Sequence, residues 1–310
     1  LTDNTVSEIA IQFSDQSLVL LNICLGFIMF GIALGIDPKD FKLVAKRPKS
    51  TAVGVISQFL LLPAATFLIV WIMQPAPALA LGMILVASCP GGNISNFISS
   101  ISGANVALSV SLTGLATLIT PLFTPLNFEF WAHSLADTSL YLQSFHLEFI
   151  DILKTVVLLL VIPLLLGLWV RNKFRALSQK IEKPIRILSL IILVGFIAVA
   201  LANNFSTFID YLYIVFLLVL VHNGVAFAIG YFAGKAARLP EADRRTVSIE
   251  TGIQNSGLGL IIIFTFFDGN GGMAIIAAWW GIWHIVAGLL LAYYFKYRDR
   301  RAGIQKPIQS

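Results

Sequence analysis

The sequence predicts an all-α polytopic membrane protein of nine spans, organised as an inverted repeat of four and five helices, one short of five and five. Three observations carry this. Of 310 residues 57% are hydrophobic and 12% charged, against roughly 45–50% and about 25% in a soluble domain, and mean hydropathy is +0.86. The apolar runs approach the roughly 20 residues that a helix needs to cross a bilayer. All but one of the 21 Lys and Arg fall on one side of a nine-span alternation. An ordinary soluble enzyme is thereby excluded. So is a membrane β-barrel, which needs alternating segments of about ten residues, whereas these runs are long and apolar all round.

In chain order the runs are 16–36, 51–73, 77–98, 105–127, 150–171, 186–204, 211–233, 246–266 and 273–295, each bounded by polar or turn residues. Residues 1–15 are too short to span and carry Asp3, Glu8 and Asp15 but no Lys or Arg. Lys39, Lys42, Lys46, Arg47 and Lys49 follow the first run. Arg171, Lys173, Arg175, Lys180, Lys183 and Arg186 follow the fifth, and Lys235, Arg238, Arg244 and Arg245 the seventh. Lys296, Arg298, Arg300, Arg301 and Lys306 follow the ninth, and Lys154 is the exception. The positive-inside rule makes that side cytoplasmic. The expected location is the cell membrane, inner or plasma, with the N-terminus outside and the tail 296–310 in the cytoplasm. Because the loops account for the formal net charge of +5, nucleic acid is not an expected partner; the bilayer is. No obligate protein partner is evident.

The connection 128–149 falls outside and carries Glu129, His133, Asp137, His146 and Glu148. Its histidines read as ordinary residues of a flexible polar loop rather than metal ligands. Cys24 and Cys89 lie in apolar runs with neither metal-ligand nor disulfide spacing and read as small packing residues.

Two runs are interrupted. The third contains Cys89-Pro90-Gly91-Gly92-Asn93-Ile94-Ser95-Asn96 and the eighth Glu250-Thr251-Gly252-Ile253-Gln254-Asn255-Ser256-Gly257. Proline removes a backbone donor and glycine relaxes the helix, so an unbroken lipid-facing helix would not carry these segments cheaply. Aligning the interruptions matches the first four runs with the last four and leaves the fifth over. The two interrupted runs then point in opposite directions, as an inverted repeat requires. Such repeats build transporters whose substrate and ion sites lie where broken helices meet near the midplane. The competing reading is that Gly and Pro merely kink two helices.

Glu250 is the one carboxylate placed within a span, in contrast to Asp151, Asp210 and Asp268 at span ends. An acid at the bilayer centre costs at least about 2.5 kcal/mol, and no Lys or Arg lies at matching depth. Three readings stay open: a bound cation, a neutral Glu250 in a proton relay, or a position near enough to the inner surface to meet water. Oxygen-bearing side chains recur at helical spacing, with Glu250 and Gln254, Thr251 and Asn255, and Ser109 and Thr113 each four apart. Gln58, His222, Asn223 and His284 complete the intramembrane polar set. A lone membrane histidine reads first as an interhelical hydrogen bond and second as a substrate contact. With no nucleophile–base motif, phosphate loop or HExxH run, the chain is not expected to be an enzyme.

CPGGNISN followed by NVALSVSLTGLATLITPL, then VLVHNG, ETGIQNSGLG and WHIVAG, resemble the signature segments of the bile acid:sodium symporter family in its bacterial branch, over residues 22 to 295. The resemblance implies a panel domain and a core domain with two crossed broken helices. Two sodium ions would lie behind the crossing and an organic anion in the crevice between domains. The panel would be about 16–36 and 150–204, the core about 51–127 and 211–295. Carried over by position, Ser95, Asn96, Ser109, Thr113 and Glu250 would hold one sodium ion. Gln58, Glu250 and Gln254, with main-chain oxygens of Thr251 and Ile253, would hold the other. Asn93, Asn255 and His284 would face the anion. Ile285 stands where relatives can carry Asn, and Asn93 where Thr can occur. Bacterial relatives usually have ten spans and some animal members nine, so the expectation is either a natural nine-span form or a first helix removed.

The expected function is sodium-coupled uptake of an organic anion, bile-acid-like or a smaller carboxylate, by alternating access. The rivals are proton coupling through Glu250 and a substrate-binding receptor without transport. No organic cofactor is expected.

Overall fold

The computed structural model describes residues 23, 26–31, 33–35, 46–143, 149–203 and 205–301. Residues 1–15, Cys24, Lys39, Lys42, His146, Glu148 and Lys306 lie outside the described residues. Regular structure among the described residues is helical, apart from one isolated antiparallel bridge.

α1 (Pro48–Met73) covers the second run. Pro48 opens it, where a missing N–H costs nothing. Midway it widens into a π turn, Ser57–Leu61, closed by Leu62 N–H on the Ser57 carbonyl. The cause lies in Pro63, which has no N–H for the Phe59 carbonyl and whose ring would press on it. The turn places Gln58 in its first half, buried.

The third run folds as two short helices, α2 (Pro77–Ser88) and α3 (Ile94–Ser102), and the chain reverses through Gly103, at φ 71°, into α4 (Val106–His133). Then come α5 (Ala136–Gln143), α6 (Phe149–Lys173), α7 (Arg175–Asn203) and α8 (Phe205–Ala236). The eighth run is again two helices, α9 (Glu241–Gly252) and α10 (Ser256–Phe266), before α11 (Gly271–Arg301). Pro48–Met73, Val106–His133, Tyr213–Ala236 and Gly271–Arg301 are each long and apolar enough to cross a membrane.

Two boundaries differ from expectation. The fourth helix runs on to His133, and Ala136–Gln143 is helical, so much of the supposed flexible loop is ordered. Thr138 donates to the Ala132 carbonyl at 2.5 Å, and Asn270 Nδ2 donates to the Tyr141 hydroxyl at 2.7 Å, which ties α5 to the start of α11. The helix of the sixth run begins at Arg175, with only Phe174 separating it from α6. Hydropathy locates the bilayer-facing stretch and is blind to helix that continues beyond it.

α2 is buried from Ala78 to Ser88 and α10 from Leu258 to Phe264. Helices apolar all round belong inside a protein, and α11 packs on both. A Cβ at Gly82 would come 2.9 Å from Met273 Cα, so α2 and α11 meet backbone to backbone. Large apolar side chains including Trp71, Ile72, Phe130, Tyr213 and Tyr293 face outward. Ser178 on α7 donates to the Leu34 carbonyl at 3.2 Å, which docks the helical residues near 34 on α7.

The basic end of the bundle is pinned by three carboxylates. Asp243 accepts from Arg47 at 3.0 Å on each oxygen, from Ser50 at 2.7 Å and from Asn105 at 2.8 Å, joining α1, α4 and α9. Asp299 accepts from Arg245 at 2.8 and 2.5 Å, and Arg245 also donates to the Ser102 carbonyl at 2.9 Å. Glu241 accepts from Arg245, Arg298 and Tyr231.

Candidate functional site

The breaks in the two interrupted helices lie on each other. Cys89–Asn93 and Ile253–Asn255 are unwound, and Gly91 and Gln254 face one another as an antiparallel bridge. Gly92 N–H donates to the Ile253 carbonyl at 2.8 Å, and Asn255 N–H to the Pro90 carbonyl, also at 2.8 Å. In a continuous helix those N–H groups would serve the carbonyls of Ser88 and Thr251. Unwinding is tolerated at depth because each segment satisfies the other.

Glu250 stays helical, on the last turn of α9, and is fully buried. Among the described residues it has no basic partner. Its Oε1 accepts from Ser95 at 2.5 Å and from Ser109, and its Oε2 lies 3.0 Å from the Thr113 hydroxyl. Three elements therefore converge on one carboxylate: Ser95 from the first turn of α3, Ser109 and Thr113 from successive turns of α4, and α9 itself. The single Thr113 proton also has the Ser109 carbonyl at 3.0 Å and Asn96 Oδ1 at 3.4 Å within reach. Oxygens outnumber the protons to be shared, and an oxygen-rich donor set of this kind suits a hard cation.

On the other side of Gly91 sits Gln58, whose Oε1 accepts the Gly91 N–H at 3.3 Å and whose Nε2 has no partner among the described residues. Gln254 is also fully buried. Its Nε2 donates to the Thr251 carbonyl at 2.8 Å, and its Oε1 has no partner among the described residues. The Ile253 carbonyl keeps a second lone pair beyond its bond to Gly92. Gln58, Glu250, Thr251, Ile253 and Gln254 thus gather around the crossing.

The remaining expected positions are more dispersed in kind. Asn93 is exposed at the start of α3, Asn255 caps α10 through Oδ1 on Leu258 N–H at 3.1 Å, and His284 is buried on α11 with Nδ1 unpartnered among the described residues. His222 makes the interhelical hydrogen bond expected of a membrane histidine. Thr66 donates to the Leu62 carbonyl at 2.8 Å, so the 2.6 Å contact from His222 Nε2 must carry the histidine's proton. Of the loop histidines, His133 bonds within its own helix to the Glu129 carbonyl. Cys89 is buried and free.

Sequence reasoning missed Thr124, Asn105 and the π turn. Thr124 donates to the Ser88 carbonyl at 2.7 Å, and Asn105 joins Asp243 and Thr246. The π turn had a signal, Pro63 five residues after Gln58. Thr124 had none, being one hydroxyl among many in an apolar run.

The sequence profile of the sodium bile acid symporter family matches residues 22–211. The chain is 30% identical over 285 residues to the sodium-dependent transporter YocS of Bacillus subtilis (strain 168), covering 91% of this chain and 85% of that protein. The chain belongs to the sodium bile acid symporter family. Within that family it is also similar to the mouse sodium-dependent organic anion transporter, at 27% identity over 91% of this chain and 75% of the relative. To the human P3 protein it is 29% identical over 84% of this chain, but it spans only 54% of that protein's length. A sodium bile acid symporter family member is a multi-pass membrane transport protein and not an enzyme.

Proposed function

We propose that this protein couples sodium entry to the uptake of an organic anion. The reading rests on one observation: Glu250 is fully buried, has no basic partner among the described residues, and sits where Ser95, Ser109 and Thr113 bring their hydroxyls together at the helix crossing. A cation would supply the missing charge. One sodium ion would use Ser95, Asn96, Ser109, Thr113 and Glu250. The second would use Gln58, Glu250, Gln254 and the carbonyls of Thr251 and Ile253, where Gln254 Oε1, unpartnered among the described residues, offers an oxygen.

The two broken helices would belong to a core domain, about 51–127 and 211–295, facing a panel formed by 16–36 and 150–204. The Ser178 bond to Leu34 supports grouping the first and sixth runs. Asn93, Asn255 and His284 would line the crevice for a carboxylate, bile-acid-like or smaller. Sodium binding would hold the crossing in the arrangement that completes this crevice, and rocking of core against panel would give access from each side in turn. With the basic end of the bundle in the cytoplasm of the cell membrane, each inward sodium charge gains about 2.3 kcal/mol per 100 mV.

The test begins with thermal unfolding of purified protein against a panel of carboxylates that includes a bile acid, with sodium or choline chloride. A substrate stabilises more when sodium is present. Uptake of the best ligand into proteoliposomes should follow an imposed sodium gradient, and Glu250→Ala and Gln254→Ala should abolish it. Uptake that follows a pH gradient and ignores sodium would replace this reading with proton coupling through Glu250.

A further inference from the structure

Each break takes the usual donor from more than one helical carbonyl, and in each the last carbonyl of the half-helix is served from another helix. In α2 the Ser88 carbonyl would accept from Gly92 N–H, but that group is given to Ile253 across the crossing. In α9 the Gly252 carbonyl would accept from Ser256 N–H, but that group turns to the Gln254 carbonyl at 3.0 Å. In hydrocarbon an orphan carbonyl is costly, and here those of Ser88 and Gly252 are served by side chains of other helices. Thr124 on α4 donates to Ser88 at 2.7 Å, and Asn223 Nδ2 on α8 donates to Gly252 at 2.7 Å.

Thr124 behaves unlike its neighbours. Thr117 and Thr120 on the same helix return their protons to their own helix, at the carbonyls of Thr113 and Ala116, which is the usual habit of helical threonine. Thr124 instead reaches the last residue of α2. Asn223 is fully buried beside His222, and its amide ends on the residue between Thr251 and Ile253, whose carbonyls bracket Gln254. Both caps act at the point where a helix stops and the crossing begins. One comes from the helix that follows its target in sequence, the other from the helix that precedes it.

We infer that Thr124 and Asn223 are positioning residues for cation binding, replacing the hydrogen bond that the last carbonyl of each half-helix loses and so fixing where the unwound segments cross. Without its cap, each half-helix must find another donor for its last carbonyl. The least costly source is the N–H group now committed to the crossing or to the turn beside it. Recapture of Gly92 N–H by Ser88 would remove a crossing bond next to Gly91, which lies against Gln58 and Glu250. Recapture of Ser256 N–H by Gly252 would rewind the turn holding Gln254. Either change moves cation ligands without removing one.

This inference rests on the sodium reading above, and its test separates the two. Sodium alone is titrated into the purified full-length protein, with choline chloride holding ionic strength constant, and the unfolding midpoint gives the half-saturating concentration. Thr124→Val and Asn223→Leu should raise that concentration about three- to tenfold, the range expected for an interhelical hydrogen bond in a membrane. Thr124→Ser, which keeps the hydroxyl, should stay near the parent. If the apolar variants do not purify folded, Asn223→Gln moves the amide by one methylene and should also raise the value. Parental half-saturation in Thr124→Val and Asn223→Leu, or in Asn223→Gln where only that protein is obtained, overturns the positioning role. Glu250→Gln, measured alongside, should lose the sodium response; if it keeps it, the sodium reading itself fails.

Discussion

Gly91 and Glu250 are packed so closely that a Cβ on Gly91 would lie 2.9 Å from the carboxylate Oε2. The same atom would sit 3.5 Å from Gln58 Oε1, so it would enter the space between the two proposed cation sites. Gly91→Ala should therefore weaken sodium binding by a factor of about 5 to 150, which corresponds to the 1–3 kcal/mol typical of overpacking. Gly224→Ala is the control, since a Cβ there meets nothing within 4 Å. Sodium titrations of the two proteins make the comparison, and equal half-saturation would contradict it.

The Arg245–Asp299 pair at the basic end predicts a stability effect without a binding effect. Arg245 is 3% exposed, and Asp299→Ala removes its two-pronged partner. Breaking a buried pair from one side costs about 3–5 kcal/mol, whereas replacing both partners with apolar residues, as in Arg245→Met with Asp299→Leu, should recover much of that. Unfolding midpoints in detergent should rank parent, double variant, single variant.

Thr66 and His222 form a buried donor chain ending on the Leu62 carbonyl, one residue beyond the π turn. Thr66→Val leaves the His222 N–H with no acceptor and should cost about 1–3 kcal/mol. Thr66→Ser keeps the chain and should cost much less. A Thr66→Val protein as stable as Thr66→Ser would contradict the proton assignment on Nε2.

Glu241, at the basic end and outside the spanning segments, makes stability depend on acid. Its partial burial raises the pKa, but hydrogen bonds from Arg298 and Arg245, the Arg298 charge and the Tyr231 hydroxyl together bring it below its ordinary value of 4.5. Because the folded carboxyl binds its proton more weakly than the unfolded one, the pairing stabilises above about pH 4.5 and is lost as pH falls through the lowered folded value. The unfolding midpoint should fall in that acid range, and Glu241→Gln should flatten the fall.

The sequence made the polar residues of the crossing visible and left the bonds that hold the crossing hidden, for different reasons. Glu250, Ser109, Thr113 and Gln254 stand out because polar groups at membrane depth are expensive, so each one demands an explanation. Asp243 and Asn105 do not, since at a helix end charge and amide are ordinary. Thr124 is invisible because its role depends on which carbonyl another helix has lost, a fact that exists only once the crossing is formed. Helix lengths failed similarly: residues 128–133 and 175–185 are helical beyond the ends of the apolar runs, where hydropathy carries no signal.

The reciprocal bonds at the crossing also constrain the order of biogenesis. Ribosomal synthesis delivers residues 89–93 long before 253–255, more than half the chain earlier. Until the later segment emerges, the Pro90 carbonyl and the Gly92 amide lack these partners, and the newborn broken helix α2–α3 must wait with its polar centre unpaired. Insertion of the second half is then the step that seals the first, and a nascent protein stalled before Ile253 should remain open to proteases at its middle.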